Sequence, residues 1–300
     1  MVTLTERFNR FLFQRAIKEI LNTPAVNRGS NPFTALTMVH QRDVLPYLLA
    51  IKTFAYHTKP DRIVVVADPS LTQSNKTLLK KHIPILEIVE AEKFRRPDLP
   101  IGGTWERLSA ISILCAESPI VQLDADTVTF DTPAEVLACV RDNLCFVIRS
   151  EHDTEIQHLD IAALHGEELL KVSQHVVAYA EAALIKLGNW QNLRYVRGCS
   201  GFTGFGMGML TPSALDELSR NMRSLLGDKW DKWGTEQVSS NLLAASSPNA
   251  YLLPHPKYCN ADTLATETVV AHFIGYTRYV SREYEYRAKN AAQMLKGEKV

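Results

Sequence analysis

The chain has 300 residues, 46% of them hydrophobic, and its 33 basic residues balance 33 acidic ones. That is enough apolar chain for a sizeable core, and zero formal charge leaves no global field to draw in nucleic acid or an anionic membrane, so an anionic ligand needs a local site. Five cysteines, an odd number without C-x-x-C spacing, suggest neither a disulfide framework nor a zinc site and fit reduced thiols in a cytoplasmic protein.

The N-terminal stretch MVTLTERFNRFLFQRAIKEI has charges between its apolar clusters, unlike a signal peptide, and no segment has the roughly 18 uncharged apolar residues of a spanning helix. Phe8, Phe11, Leu12 and Phe13 predict a helix that packs on its own domain or offers an amphipathic face to a membrane or partner. Strands are expected over residues 35–40 (ALTMVH), 62–67 (RIVVVA), 85–89 and 119–123, with helices over 44–57, up to His82, and over 104–117. This alternation predicts an α/β fold, a mostly parallel sheet flanked by helices.

The second half is less regular. Residues 143–149 read as a strand and 161–187 as one helix, with Leu164, Leu169, Val172, Val176, Tyr179 and Ala183 as its buried stripe. RGCSGFTGFGMGML, residues 197–210, holds five glycines in β-like alternation, a sign of backbone passing close to a ligand or another strand. Helices over 216–226 and 236–245 and a short strand over 269–273 complete the pattern. With no repeat or linker, the expectation is one catalytic domain over 1–300: an N-terminal helix (1–30), a Rossmann-like nucleotide-binding half (31–130) and an acceptor-side half (131–300).

Within IVQLDADTVTF, residues 120–130, Asp124 and Asp126 end an apolar strand, where open sheets bind ligands. Carboxylates at i and i+2 of an extended segment share a side, with Ala125 turned away, and can face one Mn²⁺ or Mg²⁺. AHFIGY (271–276) supplies His272, a competent Mn²⁺ ligand; WGTEQVSSNLL (233–243) supplies Glu236, Gln237 and Asn241; TWERLSAIS (104–112) places Arg107 on the helix leading into the D-A-D strand. His152, His158, His165 and His175 read as surface or core histidines; Trp190, Trp230 and Trp233 serve packing or stack on an acceptor sugar.

In order and spacing these residues resemble the nucleotide-sugar-dependent glycosyltransferases of the GT-A fold, among them the retaining glycogenin and lipopolysaccharide galactosyltransferase type. The resemblance runs from about residue 35 to 278. It rests on Arg107, Leu123 to Asp126, Ser200-Gly201, Glu236-Gln237 with Asn241, and His272-Phe273 with Gly275. It implies Asp124, Asp126 and His272 as ligands of Mn²⁺ or Mg²⁺ on the diphosphate of a nucleotide sugar, with Arg107 at the donor and Glu236 or Gln237 at the sugar's far face. His40 and Asp68, which follow the first two strands, fall where base and ribose would lie. After H-F-x-G the family continues Lys-Pro-Trp, whereas this chain reads Tyr276-Thr277-Arg278-Tyr279, so Arg278 stands in for the phosphate lysine.

The implied activity is transfer of a hexose from a nucleotide sugar, UDP-linked by the resemblance, to a hydroxyl acceptor (a glycan, a lipid-linked sugar or a protein), with no nucleic-acid partner. Two rivals are a sugar-nucleotide nucleotidyltransferase, whose glycine-rich loop is missing from MVHQRDVLP, and an inactive binding or scaffold protein that keeps the motifs.

Overall fold

A computed structural model describes residues 3–149, 155–275 and 277–297, so His152 and Tyr276 lie outside the described residues. In chain order the first half holds α1 (Leu4–Ala16), β1 (Asn31–Val39), α2 (Val44–Thr58), β2 (Pro60–Ala67), α3 (Gln73–His82), β3 (Leu86–Glu90), α4 (Trp105–Leu114), β4 (Ile120–Leu123), β5 (Thr127–Thr129), α5 (Ala134–Arg141) and β6 (Phe146–Arg149). The second half holds β7 (Gln157–His158), α6 (Leu159–Leu170), α7 (Val176–Ala183), β8 (Arg194–Tyr195), β9 (Gly198–Phe205), α8 (Pro212–Leu226), α9 (Thr235–Ala245), β10 (Tyr251–Leu252), β11 (Tyr258–Asn260), β12 (Val270–His272) and α10 (Glu283–Lys296). The chain divides into two compact units. One comprises Met1–Val89, Leu123–Ala134 and Pro254–Val300; the other comprises Glu90–Gln122 and Glu135–Leu253.

In the first unit the strands run β1-β2-β3, with β1 and β2 parallel and in register from Thr34 opposite Arg62 to Val39 opposite Ala67. Their near-continuous apolar runs are buried because helices cover parallel strands on both faces. The β1-to-β2 crossover is α2, apolar almost all round and buried along nearly its whole length. It ends at Lys59 in the left-handed conformation (φ 50°). A small sheet, β11-β12-β5, pairs β12 antiparallel to β5 with His272 opposite Thr127. Helix α1 is started by a capping box, Thr3 and Glu6 each bonding the other's backbone amide.

In the second unit the strands run β10-β6-β9-β4, with β10 parallel and β9 antiparallel to β6. The glycine-rich segment predicted over 197–210 forms β9, and the close neighbour is β6. A Cβ at Gly198 would lie 2.0 Å from the Ile148 carbonyl oxygen, and one at Gly204 would lie 2.0 Å from the Phe146 ring. The single helix expected over 161–187 is two, α6 and α7, with a turn between them. The expected stripe holds in part: Val176 and Ala183 are buried, but Leu164 and Val172 are exposed, and Ala162, Ala163 and Gly166 are buried in α6 instead. The reason is close packing of backbones, since a Cβ at Gly166 would meet the Ala182 amide nitrogen at 2.5 Å.

Candidate active site

The first unit brings together Asp124, Asp126 and His272, the three residues expected to ligate a metal. Asp124 to Asp126 do not continue the strand: they form the turn between β4 and β5, closed by the Thr127 amide and hydroxyl, which donate to the Asp124 carbonyl at 3.2 and 2.9 Å. The expectation that strand alternation puts both carboxylates on one side is thereby corrected; the turn does it. The β12–β5 pairing then delivers His272, and the Phe273 amide donates to the Asp126 carbonyl at 2.9 Å. His272 Nε2 lies 3.0 Å from Asp126 Oδ1 and 3.7 Å from Asp124 Oδ2. One ligand atom from each of the three lies within 4.8 Å of the others.

Two carboxylate oxygens and an imidazole nitrogen suit a hard divalent cation such as Mn²⁺ or Mg²⁺. With the three ligand atoms within 4.8 Å of one another, one such ion would be within reach of all three. Asp126 and His272 are buried and Asp124 is half-buried, so two ligands are held rigidly and the third opens the cluster to solvent.

Arg278 completes the cluster. Its Nη2 donates to Asp126 Oδ2, its Nη1 reaches Asp43 Oδ1 at 3.4 Å, and its Nε donates to the Phe273 carbonyl at 3.2 Å. Burial works to raise the pKa of Asp126, yet His272 and Arg278 outweigh it and hold that carboxyl well below the usual carboxylate range. Burial likewise works against the charge on Arg278, and Asp126 more than compensates, holding its pKa above the ordinary value. Asp43 is the residue that the sequence reading passed over. Its signal lay in MVHQRDVLP, an acid just ahead of a buried helix.

The pair expected on the nucleoside side, His40 and Asp68, also falls in the first unit. Because β1 and β2 end in register, the Asp68 amide donates to the Val39 carbonyl at 3.1 Å, and Asp68 Oδ1 lies 3.9 Å from His40 Nε2. Asp68 Oδ1 accepts from the Ser70 amide at 2.8 Å and His40 Nδ1 from the Arg42 amide at 3.2 Å, so both side chains are braced by their own turns. Gly275 is exposed, with room around its α-carbon, and Ala125 is buried between the two aspartates in sequence.

The second unit brings together Arg107, Ser200 and Glu236. Arg107 on α4 and Glu236 on α9 are both buried, and Arg107 Nη2 lies 3.0 Å from each oxygen of Glu236 and 3.2 Å from Ser200 Oγ. Ser200 and Thr104 hydroxyls donate to Glu236 Oε2 at 3.2 and 3.0 Å. The carboxylate is therefore satisfied inside the protein, and the neighbouring acid Glu106 receives Arg95 and the Gly102 amide. Gln237, one residue on, is half-buried, and Gly201 is buried in β9. Asn241 Nδ2 donates to the Gly198 carbonyl at 2.9 Å and so fixes α9 to β9. Of the tryptophans, Trp230 is buried with its indole N–H donating to Ser219, whereas Trp233 is 69% exposed.

No protein-family model matches this sequence, and neither does any curated protein. Among solved structures the chain is similar to the WbbM bifunctional glycosyltransferase, with a TM-score of 0.51 and 14% identity over 84% of this chain and 47% of that one. It thus spans about half the length of that protein. It is also similar to the galactosyltransferase LgtC in complex with donor and acceptor sugar analogues (TM-score 0.48, 10% identity, 86% of this chain, 95% of that one). Mouse xyloside xylosyltransferase 1 follows at a TM-score of 0.44 and 11% identity over 82% of this chain and 98% of that one. The likeness to WbbM shows the fold, a GT-A glycosyltransferase fold.

Proposed function

We propose that the protein is a metal-dependent glycosyltransferase that moves a hexose from a UDP-linked donor to a hydroxyl acceptor. The observation that carries this reading is the Asp124, Asp126 and His272 cluster, set at the end of a core strand in a GT-A fold. Bound there, Mn²⁺ or Mg²⁺ would supply Lewis-acid stabilisation to the charge that grows on a departing diphosphate. Asp124, Asp126 and His272 hold the ion. Arg278, already ionised beside Asp126, offers N–H donors to phosphate oxygens. His40 and Asp68, braced at the ends of β1 and β2, receive base and ribose hydroxyls.

In the second unit, the satisfied Glu236 holds Arg107 and the start of α9 in place, and half-buried Gln237 is the donor-sugar contact that the resemblance implies. In the transfer, the bond from the sugar's C1 to the diphosphate oxygen breaks with its electron pair on the diphosphate. A hydroxyl oxygen of the acceptor bonds to C1, and its proton passes to water. The chain from 1 to 300 acts as one catalytic domain in this reading.

The test is incubation with a panel of UDP-hexoses and Mn²⁺ while free UDP is measured. UDP release that ceases with chelator supports the proposal. Pyrophosphate release from UTP and a hexose 1-phosphate, with no UDP released from any UDP-hexose, would replace it with nucleotidyl transfer.

A further inference from the structure

Helix α1 has two apolar faces. On one, Asn9, Phe13 and Ala16 are buried. Phe13 stacks on Tyr284 with ring centroids 4.0 Å apart, and Asn9 Nδ2 donates to the Tyr279 carbonyl at 3.0 Å. These contacts anchor the helix within its own unit. On the opposite face Leu4, Phe8 and Phe11, spaced i, i+4 and i+7, form one stripe and are 83%, 58% and 53% exposed. The inner face already fixes the helix, so folding gains nothing from the outer stripe. An exposed leucine and two phenyl rings side by side on one helix are what a docking face presents.

The charges around the stripe identify the occupant. Arg7, Arg10 and Arg15 are exposed, and the Arg15 guanidinium stands 6.0 Å from the centre of the Phe11 ring. The single acid of the helix, Glu6, is turned onto the Thr3 amide at 2.5 Å. The chain as a whole is neutral, so this is a local cationic rim around an apolar ridge. The stripe is a ridge along one side of a helix, and it fits a deformable anionic plane: rings in the boundary between headgroups and acyl chains, guanidinium groups on lipid phosphates.

We propose that α1 is an in-plane docking helix for an anionic lipid bilayer. It rests on Leu4, Phe8 and Phe11 for insertion and on Arg7, Arg10 and Arg15 for charge, and it holds whatever the transfer chemistry proves to be.

The test is co-sedimentation of the full chain with phosphatidylcholine vesicles that contain phosphatidylglycerol, and with pure phosphatidylcholine vesicles. Wild type is expected to bind the anionic vesicles and to lose binding as salt rises. The double variant Phe8→Glu, Phe11→Glu should bind at least about tenfold more weakly. Arg7→Ala and Arg10→Ala should each cost about fivefold. Thermal unfolding should be unchanged in the phenylalanine and Arg7 variants, since none of these side chains is buried, and little changed in Arg10→Ala, whose guanidinium stands 5.9 Å from the Tyr279 ring; Leu4→Glu gives a second insertion variant should the double variant fail to fold. Equal binding to neutral vesicles, or equal binding by wild type and the phenylalanine variants, would overturn the proposal. So would a dimer that the double variant dissolves, which would assign the stripe to a second copy.

Discussion

Glu236 and Arg107 illustrate what a buried ion pair demands. Two charges taken out of water are tolerable only with good geometry and further hydrogen bonds, and here Ser200 and Thr104 supply those bonds. Glu236→Ala should therefore leave a buried, uncompensated guanidinium and cost about 3–5 kcal/mol, read from the denaturant midpoint. A loss below about 1 kcal/mol would mean that the pair is not desolvated as described.

Lys52 offers a second residue-scale expectation. Its ammonium is buried and donates to Thr23 Oγ1 at 2.8 Å and to the Thr23 and Pro24 carbonyls at 3.1 and 2.8 Å, and burial pulls its pKa down to about 8. A lysine whose folded pKa lies below its unfolded one binds fewer protons when folded. The penalty is thus fully present below pH 8 and is relieved as pH rises toward 10.5. Wild type should gain stability relative to Lys52→Met between pH 7.5 and 9.5, in paired urea titrations; a difference that stays flat with pH would contradict the assignment. Asp124, Asp126 and His272 were legible because each ends or follows an apolar run. The partnership of Arg107 with Glu236, and of Arg278 with Asp43, was not legible, because more than a hundred residues separate each pair and periodicity reports only local geometry.

At the scale of elements, β9 is defined by what its glycines exclude. Gly204→Val would drive a branched side chain into the Phe146 ring of the neighbouring strand, an overpacking that costs about 1–3 kcal/mol or more. Gly208→Val, where no atom lies within 4 Å but φ is +75°, carries backbone strain only. Equal midpoints for Gly204→Val and wild type would show that β6 and β9 do not approach as described. The core strands and helices of the first half emerged from apolar runs and alternation, since parallel strands buried on both faces leave an unambiguous signature. Helices α6 and α7 were expected as one: they meet through alanine and glycine, so Leu164 and Val172 sit outside although Val176 and Ala183 are buried, and the turn after Leu170 carries no proline or glycine. The short strand β5, at three residues, is too brief for alternation to reveal, whereas β12 falls within the strand expected over 269–273, and the pairing of the two positions His272.

For the molecule as a whole, the chain builds its two compact units from discontinuous segments. Leu123–Ala134 and Pro254–Val300 both join the first unit, so the carboxylates and the histidine meet although 146 positions in sequence separate Asp126 from His272. The central claim is that this meeting place binds a divalent cation together with a nucleoside diphosphate. Calorimetric titration of UDP into wild type and Asp126→Asn, with Mn²⁺ and with chelator, tests it most directly. The account predicts UDP binding that requires Mn²⁺ in wild type and is weakened at least about a hundredfold in the variant, on the order of 2.7 kcal/mol. UDP binding of equal strength in all four conditions, or none in any, would contradict it.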